Sequence, residues 1–301
     1  MKRNFPRSWK GGSSLLALAG ILLLAPRFVQ AQNRLEAELR DDKASLVATE
    51  TLLTLGRGKN LENARKVFER EAARGNAAAQ VNLAVFYING WGGISQNYGT
   101  ALYWLKEAAR QGLPLAYTNL GILYLNGSGV PQNYEEALKD FRFAGEHGET
   151  GAMVNLGYMT ENGLGIAGNQ AAGVEWYRRA AEAGYALGEN NLADCYLRGI
   201  GVPQSDSLAA TWFQKAAEQG QAAARIKLGF LFMTGRGVPK DAAAAYQWIL
   251  AASLAGDHRG DEYLPELRAE LRPEQMEWAA QHAKALQATS RETLLETAYV
   301  P

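Results

Sequence analysis

A short glycine-rich loop that recurs along this chain limits its fold more than any property of its composition. "NGSGVPQN" occupies Asn126 to Asn133, "RGIGVPQSD" Arg198 to Asp206, and "TGRGVPKD" Thr234 to Asp241. A looser copy, "NGLGIAGN", runs from Asn162 to Asn169. Read alone, one such loop suggests a phosphate cradle. A nucleotide site needs only one, however, and needs a strand before it and a Lys-Ser or Lys-Thr pair after it, which are missing here. Recurrence at fixed spacing marks a solenoid, in which each unit buries its apolar face only against its neighbours.

Aligned on these loops, the chain divides into units 76–112, 113–148, 149–184, 185–220 and 221–256. The first carries one extra residue around Trp91, in "GWGGI". A shorter relative, 44–75, lacks the Gly-Val-Pro insert and is expected to cap the N-terminal end, so that 32–75 forms one capping region. Each unit predicts two helices. In the first helix Ala116, Leu120, Gly121 and Tyr124 recur as Ala79, Leu83, Ala84 and Tyr87, and as Gly188, Leu192, Ala193 and Tyr196. That spacing puts them near one helical face, with small residues where two helices approach closely. In the second helix Ala209, Trp212, Ala216 and Ala217 set the pattern, and Gly112, Gly148, Gly184, Gly220 and Gly256 end it at the left-handed cap position. Within each loop the glycines end the first helix, Val202 plugs into the core and Pro203 blocks continuation. Asn133, Ser205 and Asp241 then stand where a side chain caps the second helix.

These residues resemble the Sel1-like repeat, a relative of the tetratricopeptide repeat, with the pattern A-x-x-x-L-G-x-x-Y-x-x-G-x-G-V-x-x-D…A-x-x-W-x-x-x-A-A-x-x-G. The resemblance covers about 76–256 and departs in 149–184, where Thr160 replaces the aromatic and Ala167 the proline. It implies an all-α fold, a right-handed α-solenoid of paired antiparallel helices. It also implies a protein-binding scaffold, of a kind found in bacterial envelope, secretion or signalling assemblies.

Both ends differ from the repeats. Lys2, Arg3, Arg7 and Lys10 precede an apolar run, Leu15 to Ala25, and "FVQAQN" follows Pro26 and Arg27. Val29 and Ala31 suit the small subsites of a signal peptidase, so 1–31 reads as a signal peptide and the mature chain as starting at Gln32. The run is short for a span, which takes about 20 residues; retention as an anchor is the competing reading. Localisation is therefore expected to be periplasmic or secreted, with no membrane span after cleavage. Beyond Gly256, residues 257–301 predict capping helices and a tail, with Leu264, Leu267, Leu271, Met276, Trp278 and Ala279 shielding the last unit.

No chemistry stands out. Without the leader, 26 basic residues face 31 acidic ones, a poor balance for nucleic acid. Cys195 is the only cysteine, so an intramolecular disulfide is impossible, and it reads as a small buried hydrophobe. His147, His258 and His282 are scattered, and no HExxH or CxxC occurs, so neither metal nor cofactor is expected. Cysteine-rich members of the resembled family are associated with β-lactam binding or hydrolysis. Here Ser-x-x-Lys, Lys-Thr-Gly and the Gly-x-Ser-x-Gly elbow are all missing, which disfavours an envelope hydrolase and leaves no catalytic candidate.

The expected site is a groove for a protein or peptide partner. If first helices line the concave side, as in related repeats, Val85, Asn89, Ile122, Asn126 and Tyr158 face it, followed by Asn190, Asp194, Arg198 and Phe230. Val81, Ile88, Thr118, Leu125, Val154, Glu161, Leu197, Ile226, Met233 and Thr234 extend the same surface; the competing reading packs positions 6 and 10 of each unit, such as Val81 with Val85 and Ile226 with Phe230, against neighbouring first helices. Trp91 either folds back on its own repeat or is offered to a ligand. Trp104, Trp176, Trp212 and Trp248 form a packing column, while Asn82, Asn119, Asn155 and Asn191 form either structural hydrogen bonds or a ladder for a peptide backbone.

Overall fold

A computed structural model describes residues 59–297, with side-chain surroundings over 61–286. The expected leader 1–31, the expected junction before Gln32, and residues 32–58 of the expected N-terminal cap lie outside the described residues. The described chain is an α-solenoid, and no strand occurs among the described residues. Helix α1 (Lys59–Ala73) is the second helix of unit 44–75. Five antiparallel pairs follow: α2 (Ala77–Asn89) with α3 (Tyr98–Arg110), α4 (Pro114–Asn126) with α5 (Tyr134–Glu146), and α6 (Thr150–Asn162) with α7 (Gln170–Glu182). The last two are α8 (Ala186–Arg198) with α9 (Asp206–Glu218) and α10 (Ala222–Thr234) with α11 (Ala242–Leu254). A 3-10 turn (His258–Tyr263), α12 (Leu264–Glu270) and α13 (Pro273–Thr297) close the end. Each helix packs chiefly on the one before and the one after it.

The loops do what their residues require. Asn133 accepts from the Glu135 and Glu136 amides, Ser205 from Leu208, and Asp241 from Ala243 and Ala244, so all three expected caps form. A second lock escaped notice in the sequence. Gln96, Gln132 and Gln204 each donate an Nε2 hydrogen to a first-helix carbonyl, of Ile88 (2.7 Å), Leu125 (2.8 Å) and Leu197 (3.0 Å). Gly199, at φ 69°, turns the chain out of α8 and donates its amide to the Cys195 carbonyl.

Gly201 has a different task. A Cβ there would lie 2.5 Å from the Gln170 carbonyl oxygen at the start of α7. The loop backbone rests on the preceding unit, and the same close approach recurs at Gly92 on α1, Gly129 on α3, Gly165 on α5 and Gly237 on α9. The glycines are thinned for stacking, not for phosphate. Gly201→Val should therefore destabilise by about 2 kcal/mol, against about 1 kcal/mol for Gly184→Ala, where strain is conformational alone. At Gly184 an added Cβ meets nothing within 4 Å. Equal losses for the two variants in thermal unfolding would remove the stacking role.

The second-helix column is a packing column, as its recurrence predicts. Trp212 lies between two core clusters with the Lys215 ammonium 4.1 Å from its ring centroid, and Arg179 stands 4.7 Å from Trp176. Unit 113–148 breaks the column by placing Asp140 at the tryptophan position, where it is 7% exposed. Burial, reinforced by Glu136 and opposed by Lys139, pushes its carboxyl from the ordinary 3.8 to about 7. The folded state thus binds this proton more tightly than the unfolded state. Stability from this group is full below pH 3.8 and is lost as pH rises towards about 7. Asp140→Asn should flatten that fall, worth on the order of 2 kcal/mol, in urea midpoints taken between pH 5 and pH 8. Parallel curves for the two proteins would contradict it.

One column ties three of the first helices, α2, α4 and α10, to the second helix before each. Gln80 Nε2 donates to the Ala72 carbonyl (3.2 Å), the Tyr117 hydroxyl to Ala109 (3.0 Å), and Arg225 Nε to Ala217 (3.0 Å). Arg225 goes further. Its side chain is fully buried and also donates to the Ala251 carbonyl (3.2 Å) and to Leu286 on α13 (3.1 Å). Beside it, Leu267 and Ala279 are buried over Phe230 and Ile249, with Leu264, Leu271 and Met276 packed around them. The expectation for Trp278 is corrected: it is 49% exposed, and its ring carries the His282 imidazole at 4.0 Å instead of facing the core.

Candidate functional site

The surface that the fold leaves available on the first helices is a stripe of alternating amides and apolar groups. In α4 it runs Asn119, Ile122, Asn126, and in α6 Asn155, Tyr158, Asn162, half-buried in the middle and exposed at the end. Steps of three and four residues keep each set on one face. In α2 the same register holds Val85 and Asn89, both half-buried, while Asn82 is buried. The helix fixes several of the amides: Asn89 Nδ2 donates to the Val85 carbonyl (2.8 Å), Asn119 to Leu115 (2.9 Å) and Asn162 to Tyr158 (2.8 Å). An amide held by one N–H keeps a second N–H and a carbonyl oxygen for another molecule.

Several expected groove residues lie elsewhere. Val81, Thr118, Val154 and Ile226 are buried, because that side of each first helix closes against its neighbours. Asn190 is 4% exposed; its Nδ2 donates to Asn191 Oδ1 (3.2 Å) and its Oδ1 accepts from Lys227 Nζ (3.1 Å), so it is a structural amide. Phe230 is 3% exposed under the C-terminal cap, edge-on to Tyr263 at 6.3 Å, and is core. Trp91 folds back: its ring meets Phe86 edge-on at 6.0 Å and packs on the cluster of α1 and α2. Each correction has one physical cause. An apolar or amide group that can find cover within the chain takes it.

Further along, the stripe turns ionic. Asp194 Oδ2 is 2.5 Å from Lys227 Nζ of the next unit, and that ammonium also stands 5.2 Å from the Phe213 ring centroid. Arg198 is exposed at the end of α8. Glu161 is half-buried at the seam of α6 and α7, and its Oε2 accepts from the Tyr177 hydroxyl at 3.1 Å. Lys227 and Tyr177 were not singled out in the sequence, although each breaks an otherwise uniform column.

Nothing reactive accompanies these groups. Cys195 is 2% exposed, and burial, followed by the charges of Glu161 and Asp194, pushes its thiol up to about 12. It is a small buried hydrophobe. His147 stacks on Phe143 (4.2 Å), His258 pairs with Asp261 (2.9 Å), and His282 lies on Trp278, three separate places. Among the described residues no group of three or more His, Cys, Asp or Glu could hold a metal ion, and no helix is long and apolar enough to cross a membrane.

Known proteins agree with this architecture. A crystal structure of c5321, a protective antigen present in uropathogenic Escherichia coli strains, displays an SLR fold and is similar with a TM-score of 0.67 and 29% identity. That match covers 90% of this chain and 58% of the antigen's, so this chain spans little more than half of its length. A Sel1 repeat protein from Oxalobacter formigenes is 30% identical with a TM-score of 0.62, over 75% of this chain and 92% of its own. In Arabidopsis thaliana, the ERAD-associated E3 ubiquitin-protein ligase component HRD3A is 33% identical over 64 residues, 21% of this chain and 9% of that protein. The sequence pattern of the Sel1 repeat matches residues 77–113, 114–148, 150–185, 186–221 and 222–257. With those five matches spanning more than half of its length, and each coinciding with one helix pair, the chain belongs to the Sel1 repeat family.

Proposed function

We propose that this protein is an exported, non-catalytic scaffold, periplasmic or secreted, whose concave first-helix face holds a segment of a protein partner. The carrying observation is the half-open stripe over α2, α4 and α6, where Val85, Ile122 and Tyr158 alternate with Asn89, Asn126 and Asn162. Apolar side chains left half-exposed in register supply affinity, and amides with spare hydrogen-bonding capacity supply orientation. HRD3A, itself named as a component of a ligase, carries the shared repeat over a small part of its length, which supports an assembly role for such repeats. The basic, then apolar leader and the Val29–Ala31 junction support export.

Two measurements test the reading. Material from the cell envelope should begin at Gln32, and an intact Met1 would refute cleavage. Partners captured by photo-crosslinkers at Ile122 and Tyr158 should be lost, at least tenfold, in Asn126→Arg, an exposed change that folding tolerates. A crosslinker at Tyr103, 56% exposed on α3, is the control. Equal capture at Tyr103, or indifference to Asn126→Arg, would sink the scaffold face.

A further inference from the structure

We infer that the Glu161 carboxylate is a socket for a lysine or arginine side chain, presented by an otherwise apolar protein segment lying along the first-helix face. The inference rests on the scaffold reading and names the chemistry of its partner.

The position of Glu161 is apolar in every other unit, as Ile88, Leu125, Leu197 and Met233. Its companion changes with it. Tyr177 stands where the other units have Leu105, Phe141, Phe213 and Ile249, and its hydroxyl donates to Glu161 Oε2 at 3.1 Å. The phenol is 3% exposed, so it needs that acceptor. That hydroxyl occupies one carboxylate oxygen and brings no positive charge, at a site half removed from water.

The neighbouring unit shows what a half-buried carboxylate one turn earlier takes. Asp194, half-buried on α8, receives its cation from inside the chain, as Lys227 Nζ at 2.5 Å. Asp194 is the tenth residue of its unit, where unit 149–184 has Tyr158, and the counterpart of Lys227 on α8 is Asn191, so no cation is supplied there from inside the described chain. No ion pair joins Glu161 to a Lys, Arg or His among the described residues, and the exposed Arg198 stays beyond that distance. Tyr158, one turn earlier on α6, offers an aromatic face beside the same opening. A long cationic side chain fits both: its methylenes lie along Tyr158 and its charge reaches the carboxylate. A single carboxylate is too little for a metal, which needs several oxygen ligands. The cation therefore belongs to a side chain, brought by the segment that covers Ile122 and Tyr158.

Glu161→Gln separates this role from a structural one, because its amide oxygen still accepts from Tyr177. Random dodecapeptides displayed on phage, selected on the chain starting at Gln32, should be enriched in Lys or Arg flanked by apolar residues. A synthetic copy of a selected peptide should bind about tenfold tighter than its norleucine analogue, by fluorescence anisotropy. Glu161→Gln should bind both peptides alike, whereas Arg198→Ala should keep the preference. Enrichment without a cation, an analogue that binds equally, or a preference that survives in Glu161→Gln would each overturn the inference. Peptides indifferent to Asn126→Arg would instead count against the scaffold face itself, so the two failures are distinguishable.

Discussion

Arg225→Ala is expected to cost about 3–4 kcal/mol and to release α13 from the solenoid before the repeats unfold. The guanidinium is fully buried, and it donates to the carbonyls of Ala217, Ala251 and Leu286. The first two lie at the C-terminal ends of α9 and α11, where partial negative charge collects and favours a cation. Burial lowers the group to about 10, still protonated at neutral pH. Removing it takes one donor from each of three carbonyls and opens a cavity at the junction of two units and the cap. Lysine should recover little, since one ammonium cannot reproduce a planar fork aimed at three carbonyls. Because each unit of a solenoid rests only on its neighbours, the loss should be local at first. Hydrogen exchange should therefore accelerate in α13 and α10 and hardly change in α4. An unaltered melting temperature together with unaltered exchange in α13 would refute the clamp.

What the sequence made legible is what every unit repeats. Helix pairs, caps at Asn133, Ser205 and Asp241, the stacking glycines and the tryptophan column each recur at one spacing, so periodicity alone locates them. Departures within one unit were harder. Arg225 carries no periodic signal, and one of its acceptors, the Leu286 carbonyl, lies 61 residues away. Asp140 is visible only as a gap in the tryptophan column, and Lys227 only as a gap in the asparagine column. Amphipathic spacing assigns a face to a residue, but it does not say whether another helix covers that face. Hence Val81, Thr118, Val154 and Ile226 were placed at the surface and are buried between units. Asn89, Ile122 and Tyr158 are half-buried and Asn126 is exposed, because nothing in the described chain packs over them completely.

Phe230→Ala and Tyr158→Ala should part company, although both occupy the same position of their repeats. Phe230 is 3% exposed, edge-on to Tyr263 and grouped with Ile249, Leu267 and Ala279 beneath the cap. Its truncation removes a fully packed ring and leaves a cavity that the rigid cap cannot fill, a loss of about 3–5 kcal/mol. Tyr158 is half-buried, so truncation there should cost only about 1–2 kcal/mol of stability. Its larger effect should be on the bound partner, about 2 kcal/mol for a central anchor. Trp212→Ala is the reference for a packing residue, since its ring spans two core clusters. Denaturant midpoints and partner affinity, measured on all three variants, decide the matter. The expected pattern is a large stability loss for Phe230 and Trp212 without a specific binding defect, and the reverse for Tyr158. If Phe230→Ala instead stayed as stable as the parent and bound its partner poorly, the end of the face would be open and the cap would be a movable cover. The buried ring, the Arg225 clamp and the Lys240–Glu270 pair (3.3 Å) between the last loop and α12 all argue for the closed end.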